Sequence, residues 1–243
     1  MTLTRSPDAP PFLLGAYIVE ERVQDWSQFP FHLPYVKELD LTLEGPVTLF
    51  VGENGSGKST LLSALAELAG LPGGGGSRNE LPDSERRASL LAAALRPKFR
   101  VRPRDGFFFR AESLLDFARI LDKRRDDPDF MGDPYARYGG KSLRERSHGE
   151  GVSAVFGAKR QGGLLFFDEP ESALSPMRQL ELVKAIEESA RAGNWQFVIA
   201  THSPILMSIP RARLLDFDRP GLPPIQPEET KHWAAFKRVL CGE

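Results

Sequence analysis

Gly52-Glu53-Asn54-Gly55-Ser56-Gly57-Lys58-Ser59-Thr60 decides how this chain is read. It fits the pattern G-x-x-x-x-G-K-[ST], a phosphate-binding loop. The apolar run Val47-Thr48-Leu49-Phe50-Val51 precedes it and reads as a buried strand. Residues 61–69, LLSALAELA, follow it as a strong helix former, with Gly70 placed as the C-terminal cap. Strand, glycine loop and helix in that order turn backbone N–H groups inward around phosphate oxygens, at the positive end of a helix dipole. Gly52, Asn54, Gly55, Ser56, Gly57, Lys58, Ser59 and Thr60 are therefore the candidate nucleotide-binding residues.

Such a loop needs an acidic partner, because Mg²⁺ must be held beside the phosphates. Phe166-Phe167-Asp168-Glu169-Pro170 supplies one at the end of the apolar run 164–167. Asp168 would hold the metal through a water, and Ser59 would coordinate the same ion by its hydroxyl. Lys58 would bridge the β- and γ-phosphates as a point charge. Glu169 would polarise the attacking water. Two adjacent carboxylates at the tip of an apolar strand are costly without a cation to face.

Two further pieces complete the pattern. Thr201-His202-Ser203-Pro204 follows the apolar run 196–200, so His202 reaches the edge of a parallel sheet where ligands bind. Ser147-His148-Gly149-Glu150 opens a helix, and a serine, a glycine and a free helix N-terminus make an anion site.

The remaining elements follow from periodicity and punctuation. Residues 12–20 read as a first strand, and 39–43 alternate as a half-buried strand. Residues 71–77, LPGGGGS, read as a flexible linker. A helix is expected from Ser84, as N-cap, through Leu95, with Pro97 stopping it. Strands are expected at 98–102 and 106–110, a helix over 111–123, and a long surface loop over 126–140. The helix 176–192 carries Pro176 in its first turn and Gly193 at its end. A last strand is expected at 214–217 and a terminal helix over 228–240. Strands alternating with helices imply an α/β fold with a mostly parallel sheet.

Composition bounds the function. The chain has 243 residues, 41% of them apolar, which suits a single α/β domain over 1–243. No apolar run reaches the roughly 20 residues that cross a bilayer. The start lacks a hydrophobic signal core, and the single cysteine, Cys241, cannot form an internal disulfide, so a cytoplasmic location is expected. Charge is balanced, 32 Lys and Arg against 33 Asp and Glu, but residues 96–160 carry 16 of the former and 10 of the latter. Arg100, Arg102 and Arg104 alternate as on one strand face. That excess is either a solvated surface or a nucleic-acid contact.

Together these motifs resemble the ABC-type P-loop ATPases. GENGSGKST stands as Walker A, SHGE in the place of the signature motif, LLFFDEP as Walker B, ESALS as the D-loop and THSP as the switch histidine. The order matches from residue 12 to 217. The details are most similar to the soluble RecF/SMC/OLD-like, AAA-type members, whose Walker B continues as DEPES and whose switch reads THSP. The resemblance implies a mostly parallel sheet flanked by helices, with an antiparallel β element and a small helical lobe inserted at about 78–146. It implies ATP and Mg²⁺ as cofactors, ATP hydrolysis, and catalytic roles for Glu169, His202 and Lys58. It further implies a head-to-tail, ATP-dependent homodimer in which Ser147, His148, Gly149 and Glu150 of one copy close the site of the other. The target would be a nucleic acid or a partner protein, with a membrane partner disfavoured. The alternatives are the ATP-binding subunit of a membrane transporter and the nucleotide-gated module of a defence or toxin–antitoxin system.

The departures are specific. His148 replaces a signature glycine, and no clear Q-loop glutamine is present; Glu112 is the stand-in, as a ligand of Mg²⁺ or of the attacking water. Tyr17, Trp26, Phe31 and Tyr35 are the candidates for stacking on adenine. The segment between Walker A and SHGE is too short for a long coiled coil and lacks heptads.

Overall fold

Val47–Val51 (β3) is buried at every position, as a strand covered on both faces requires. In this computed structural model, described for residues 9–73, 75–77, 88–103, 105–110, 114–136, 140–142 and 162–242, β3 lies near the middle of a seven-stranded sheet. Its neighbours are Trp195–Ala200 (β8) and Arg213–Asp216 (β9), both parallel to it. Gly163–Asp168 (β7) and Gly106–Arg110 (β6) continue the parallel sheet beyond β8. Short antiparallel strands close the two edges, Pro224–Ile225 (β10) on β9 and Gly76–Ser77 (β4) on β6.

Alternation along these strands divides the core. Phe50, Phe108, Phe166, Val198 and Ala200 face one apolar layer; Leu49, Phe109, Phe167, Phe197 and Ile199 face the other. Each fully buried Phe or Leu contributes on the order of 2 kcal/mol. The first layer is shared with helix Lys58–Leu68 (α1) and with a three-stranded antiparallel sheet. In that sheet Leu13–Ile18 (β1) runs between Asp40–Thr42 (β2) and Leu95–Phe99 (β5). The second layer packs on helix Pro176–Ala192 and the short helix Pro204–Met207.

Beyond this apolar layer, a side chain links the two sheets by hydrogen bonds. Gln196 is fully buried on β8; its Oε1 accepts from the N–H groups of Phe12 and Leu13 at 2.8 and 2.9 Å, and its Nε2 donates to Leu13 O at 2.8 Å. Both acceptor positions and one donor of this amide are thereby used inside the core.

Helix ends follow their sequence signals. At α1, Gly70 is left-handed, and Gly70 N and Leu71 N donate to Glu67 O and Ala66 O at 2.8 and 2.9 Å, which stops the helix as its glycine predicts. In the 176–192 helix, Ser175 Oγ accepts from Arg178 N, Pro176 is the first residue and Gly193 is left-handed at the end.

Four expectations change. The helix expected from Ser84 through Leu95 is confined, among the described residues, to Leu90–Ala94 (α2), because Ser89 caps it by accepting from Ala92 N; Ser84 itself lies outside the described residues. Pro97 does not merely end that helix but sits inside β5, an edge strand where its missing N–H is harmless. The strand expected at 98–102 is therefore shifted to Leu95–Phe99, and Arg100 and Arg102 lie beyond it, with the Arg102 guanidinium over the Phe99 ring. They form no alternating strand face, and Arg104 lies outside the described residues. The glycine linker ends in β4, since Gly76 and Ser77 pair with Phe108 and Phe107. The expected surface loop stands over the described residues 126–136, mostly exposed, with Tyr135 as its buried anchor: its hydroxyl donates to Asp122 Oδ1 at 2.5 Å, on helix Leu114–Arg125 (α3). We number the remaining helices α4 (Pro176–Ala192), α5 (Pro204–Met207) and α6 (Lys231–Cys241).

Candidate active site

Parallel register brings the chemistry to one edge. Phe50 pairs with Ala200, Ala200 with Asp168, and Asp168 with Arg110, so β3, β8, β7 and β6 end at one level. The glycine loop leaves β3, Asp168 and Glu169 leave β7, and Thr201-His202 leave β8 at that level.

The loop is shaped by what surrounds it. Gly57 is left-handed at φ 93°, and a Cβ there would meet the Tyr35 hydroxyl at 2.7 Å and Leu33 Cδ1 at 2.9 Å. The same Tyr35 hydroxyl donates to Gly57 O at 2.9 Å. Asp218, just past β9, accepts from Glu53 N at 2.8 Å and fixes the other side of the loop. Lys58 is buried and folds back on this loop, its Nζ donating to Gly52 O and Glu53 O at 2.9 Å each. Burial pushes the Lys58 ammonium below its ordinary pKa, against the opposing charges of Glu169, Asp218, Asp168 and Glu171.

Ser59 and Asp168 meet as the motifs require: Ser59 Oγ donates to Asp168 Oδ1 at 2.7 Å. Asp168 is 6% exposed, and its Oδ2 lies 3.2 Å from Arg110 Nε. A serine hydroxyl and a buried carboxylate side by side are a hard-oxygen donor pair suited to an Mg²⁺ that takes its other ligands from phosphates and water. No cluster of three or more His, Cys, Asp or Glu suited to a metal occurs among the described residues.

Glu169 is one of three left-handed non-glycine residues among those described, at φ 47° and ψ 53°, held there by its N–H to Ala200 O at 2.9 Å. A non-glycine residue in this region stores about 1–3 kcal/mol of strain and is concentrated at functional sites. Its Oε1 lies 3.1 Å from His202 Nε2, and His202 Nδ1 lies 3.1 Å from His232 Nε2. Burial first, then the Lys58 charge, pulls His202 below its ordinary 6.5, with Glu169 opposing.

Glu171 ties the loops after β7 and β8 together. Its Oε1 accepts from Thr201 Oγ1 at 2.8 Å and from His202 N at 2.5 Å. Its Oε2 is buried without a hydrogen-bond partner among the described residues, and burial pushes the carboxyl above its ordinary range.

The structure thus brings Gly52, Asn54, Gly55, Ser56, Gly57, Lys58, Ser59, Thr60, Asp168, Glu169 and His202 to one edge. Ser147, His148, Gly149, Glu150 and Glu112 lie outside the described residues. Of the aromatic candidates, Phe31 and Tyr35 are buried, Tyr35 edge-on to Phe217 at 5.1 Å. Trp26 packs edge-on to Phe31, and Tyr17 lies under Lys98. Sequence reasoning gave no site role to Arg110, Asp218 and His232, and placed Glu171 only within the D-loop segment ESALS. Only Glu171 carried a local signal, a second carboxylate two residues beyond Glu169.

A family model described as "AAA domain, putative AbiEii toxin, Type IV TA system" matches residues 151–208, and one described as "AAA domain" matches residues 23–85. The chain is 31% identical to the hemin import ATP-binding protein HmuV of Pseudomonas aeruginosa, over 66% of this chain and 69% of that protein. It is 30% identical to HmuV of Burkholderia thailandensis, over 67% of this chain and 70% of that protein. A solved ATP-binding cassette of an ABC transporter superposes with a TM-score of 0.53 at 14% identity, over 95% of this chain and 98% of that one, a likeness of fold.

Proposed function

Because the chain belongs to the ABC-type P-loop ATPases, we propose that it binds ATP with Mg²⁺ at this sheet edge and hydrolyses it in a head-to-tail homodimer. The observation that carries the reading is the coincidence of two pairs at one level: Ser59 Oγ with Asp168 Oδ1 at 2.7 Å, and Glu169 Oε1 with His202 Nε2 at 3.1 Å. Gly52, Asn54, Gly55, Ser56, Gly57 and Thr60 would wrap the phosphates with backbone N–H groups. Lys58 would exchange the carbonyls of Gly52 and Glu53 for β- and γ-phosphate oxygens. Ser59 and Asp168 would hold Mg²⁺, which supplies charge neutralisation to the phosphates when bound. Glu169 would take the proton of the attacking water, and His202 would contact the γ-phosphate. Glu112 would be a further ligand of the metal or the water. Ser147, His148, Gly149 and Glu150 of the second copy would complete the γ-phosphate shell; of the lobe expected at about 78–146, β5 and β6 belong to the two sheets, so the part beyond β6, with α3, would carry them.

Glu169→Gln tests the whole scheme. It should abolish turnover, keep ATP binding and accumulate a dimer on size-exclusion chromatography with ATP. A variant that remains monomeric with ATP sinks the shared site.

For the target, we favour a cytoplasmic action on nucleic acid or a partner protein. The AAA-type family models over the Walker A and Walker B segments support this side. The toxin–antitoxin description of one of them favours a nucleotide-gated partner within it. The second reading, the ATP-binding subunit of a transporter, is favoured by the import role in the relatives' names. No helix of the described residues is long and apolar enough to cross a membrane. ATPase activity with and without DNA or RNA, and co-purification with a membrane protein, separate the two.

A further inference from the structure

Helix α6 reaches the site with its first two residues. Thr230 caps it, its Oγ1 accepting from Trp233 N at 3.2 Å. Lys231 Nζ then lies 3.5 Å from Asp218 Oδ2 and 3.8 Å from Glu53 Oε1, beside the glycine loop. His232 lies with its Nε2 3.1 Å from His202 Nδ1, the two rings 4.9 Å apart and tilted by 56°. Consecutive residues of one helix therefore touch the phosphate loop and the histidine after β8.

The proton positions in the chain Glu169–His202–His232 follow from valence. An ionised carboxylate only accepts, so the bond to Glu169 Oε1 needs a proton on His202 Nε2. In a neutral imidazole that leaves His202 Nδ1 as an acceptor. The bond at Nδ1 then requires His232 to donate from Nε2. Every atom in the chain has a consistent role in one arrangement. With His202 carrying its proton on Nδ1 instead, a lone pair would face the Glu169 carboxylate.

We propose that His232 is a positioning residue for the hydrolytic pair: by donating its Nε2–H to His202 Nδ1, it fixes His202 as the Nε2–H tautomer and aims that proton at Glu169 and the phosphate edge. This rests on the reading of Glu169 and His202 as the pair that acts on ATP. The ring of His232 meets that of His202. It acts through the imidazole beside it, much as a carboxylate orients the histidine of a hydrolytic triad.

Helix α6 has no buried residue, so substitutions at 232 leave the core intact. The variants are His232→Ala, which removes the donor, and His232→Gln, whose amide N–H₂ restores one. Binding of a fluorescent ATP analogue should stay within about twofold in both, since the glycine loop, Lys58 and Ser59 keep their places and carry most of the binding. In His232→Ala, kcat should fall about tenfold or more with KM little changed, and His232→Gln should recover most of that loss. The ¹⁵N imidazole spectrum of the full chain, which has four histidines, should show His202 as the Nε2–H tautomer in the wild type and His232→Gln. In His232→Ala it should show a tautomer mixture, with His202→Asn supplying the assignment. An Nδ1–H tautomer in the wild type, or an unchanged kcat in His232→Ala, overturns the proposal. If the wild type turns over no ATP, or Glu169→Gln keeps turning over, the functional reading itself fails. The tautomer spectra then decide the role of His232 alone.

Discussion

Arg110 stands directly beside Asp168 in the parallel register of β6 and β7, and its Nε lies 3.2 Å from Asp168 Oδ2 while Ser59 holds Oδ1. The carboxylate proposed to hold Mg²⁺ is thus paired with a cation of the protein's own. Burying Asp168 without one would be strongly unfavourable. The consequence is competition, because Mg²⁺ and the guanidinium want the same oxygens.

Arg110→Ala should therefore lower the Mg²⁺ concentration at which nucleotide binding is half-maximal, by roughly three- to tenfold given the 1.5–3 kcal/mol typical of hydrogen bonds to charged groups and the partial exposure of Arg110. Titrating a fluorescent ATP analogue with Mg²⁺ reads this directly. An unchanged or raised midpoint means that Arg110 supports the metal site instead of competing for it.

Glu171 makes a prediction about pH. Burial raises its folded pKa above the ordinary 4.5. A carboxyl raised on folding favours the folded state fully below its unfolded value, and that contribution is lost as pH rises through the folded value. Glu171→Gln keeps an acceptor for Thr201 and His202 N but cannot ionise. Its unfolding temperature relative to the wild type should therefore climb with pH above 4.5 and level off once Glu171 is ionised. A constant offset across the series would mean that Glu171 ionises freely in the fold.

The sequence showed the loop, the carboxylates and the histidine because each is a local pattern: glycines at fixed spacing, acidic residues closing an apolar run, a turn after another. Helix α4 was legible for the same reason, with Pro176 and Gly193 marking its two ends. Arg110 was not legible, since its role depends on the register between β6 and β7, strands that 52 intervening residues separate (Arg110 to Gly163). His232 meets His202 only because α6 returns to the sheet edge. β5 was misplaced because Pro97 signals a stop by its own chemistry, whereas an edge strand tolerates it. Gln196 looked like one more residue of an apolar strand, and only the position of β1 shows what its amide does.

Gln196 leads to a stability prediction. Gln196→Leu keeps the volume but strands the N–H groups of Phe12 and Leu13 and the carbonyl of Leu13 in the core. Orphaned buried groups cost about 1–3 kcal/mol each, with partial relaxation at the edge of β1, so a loss of about 2–4 kcal/mol is expected. Urea unfolding should show a lower midpoint with an unchanged m-value. A loss under about 0.5 kcal/mol would mean that the antiparallel sheet is held by its apolar contacts alone.

Gly57 separates binding from folding. Its φ of 93° disfavours any side chain, and an added Cβ would sit 2.7 Å from the Tyr35 hydroxyl and 2.9 Å from Leu33 Cδ1. Tyr35 cannot simply swing away, because it is buried, donates to Gly57 O and packs edge-on to Phe217. Gly57→Ala must therefore move the loop itself, at a cost of about 1–3 kcal/mol from the backbone and the overlap. The displacement falls at the start of α1, beside the N–H groups proposed to bind phosphate. Nucleotide affinity should drop at least about tenfold, well beyond what the loss of stability explains, since the fold keeps most of its cores. The double variant Gly57→Ala with Tyr35→Phe removes the hydroxyl overlap and should recover part of the affinity. If it recovers none, the left-handed backbone at residue 57, not the Tyr35 contact, is what shapes the loop.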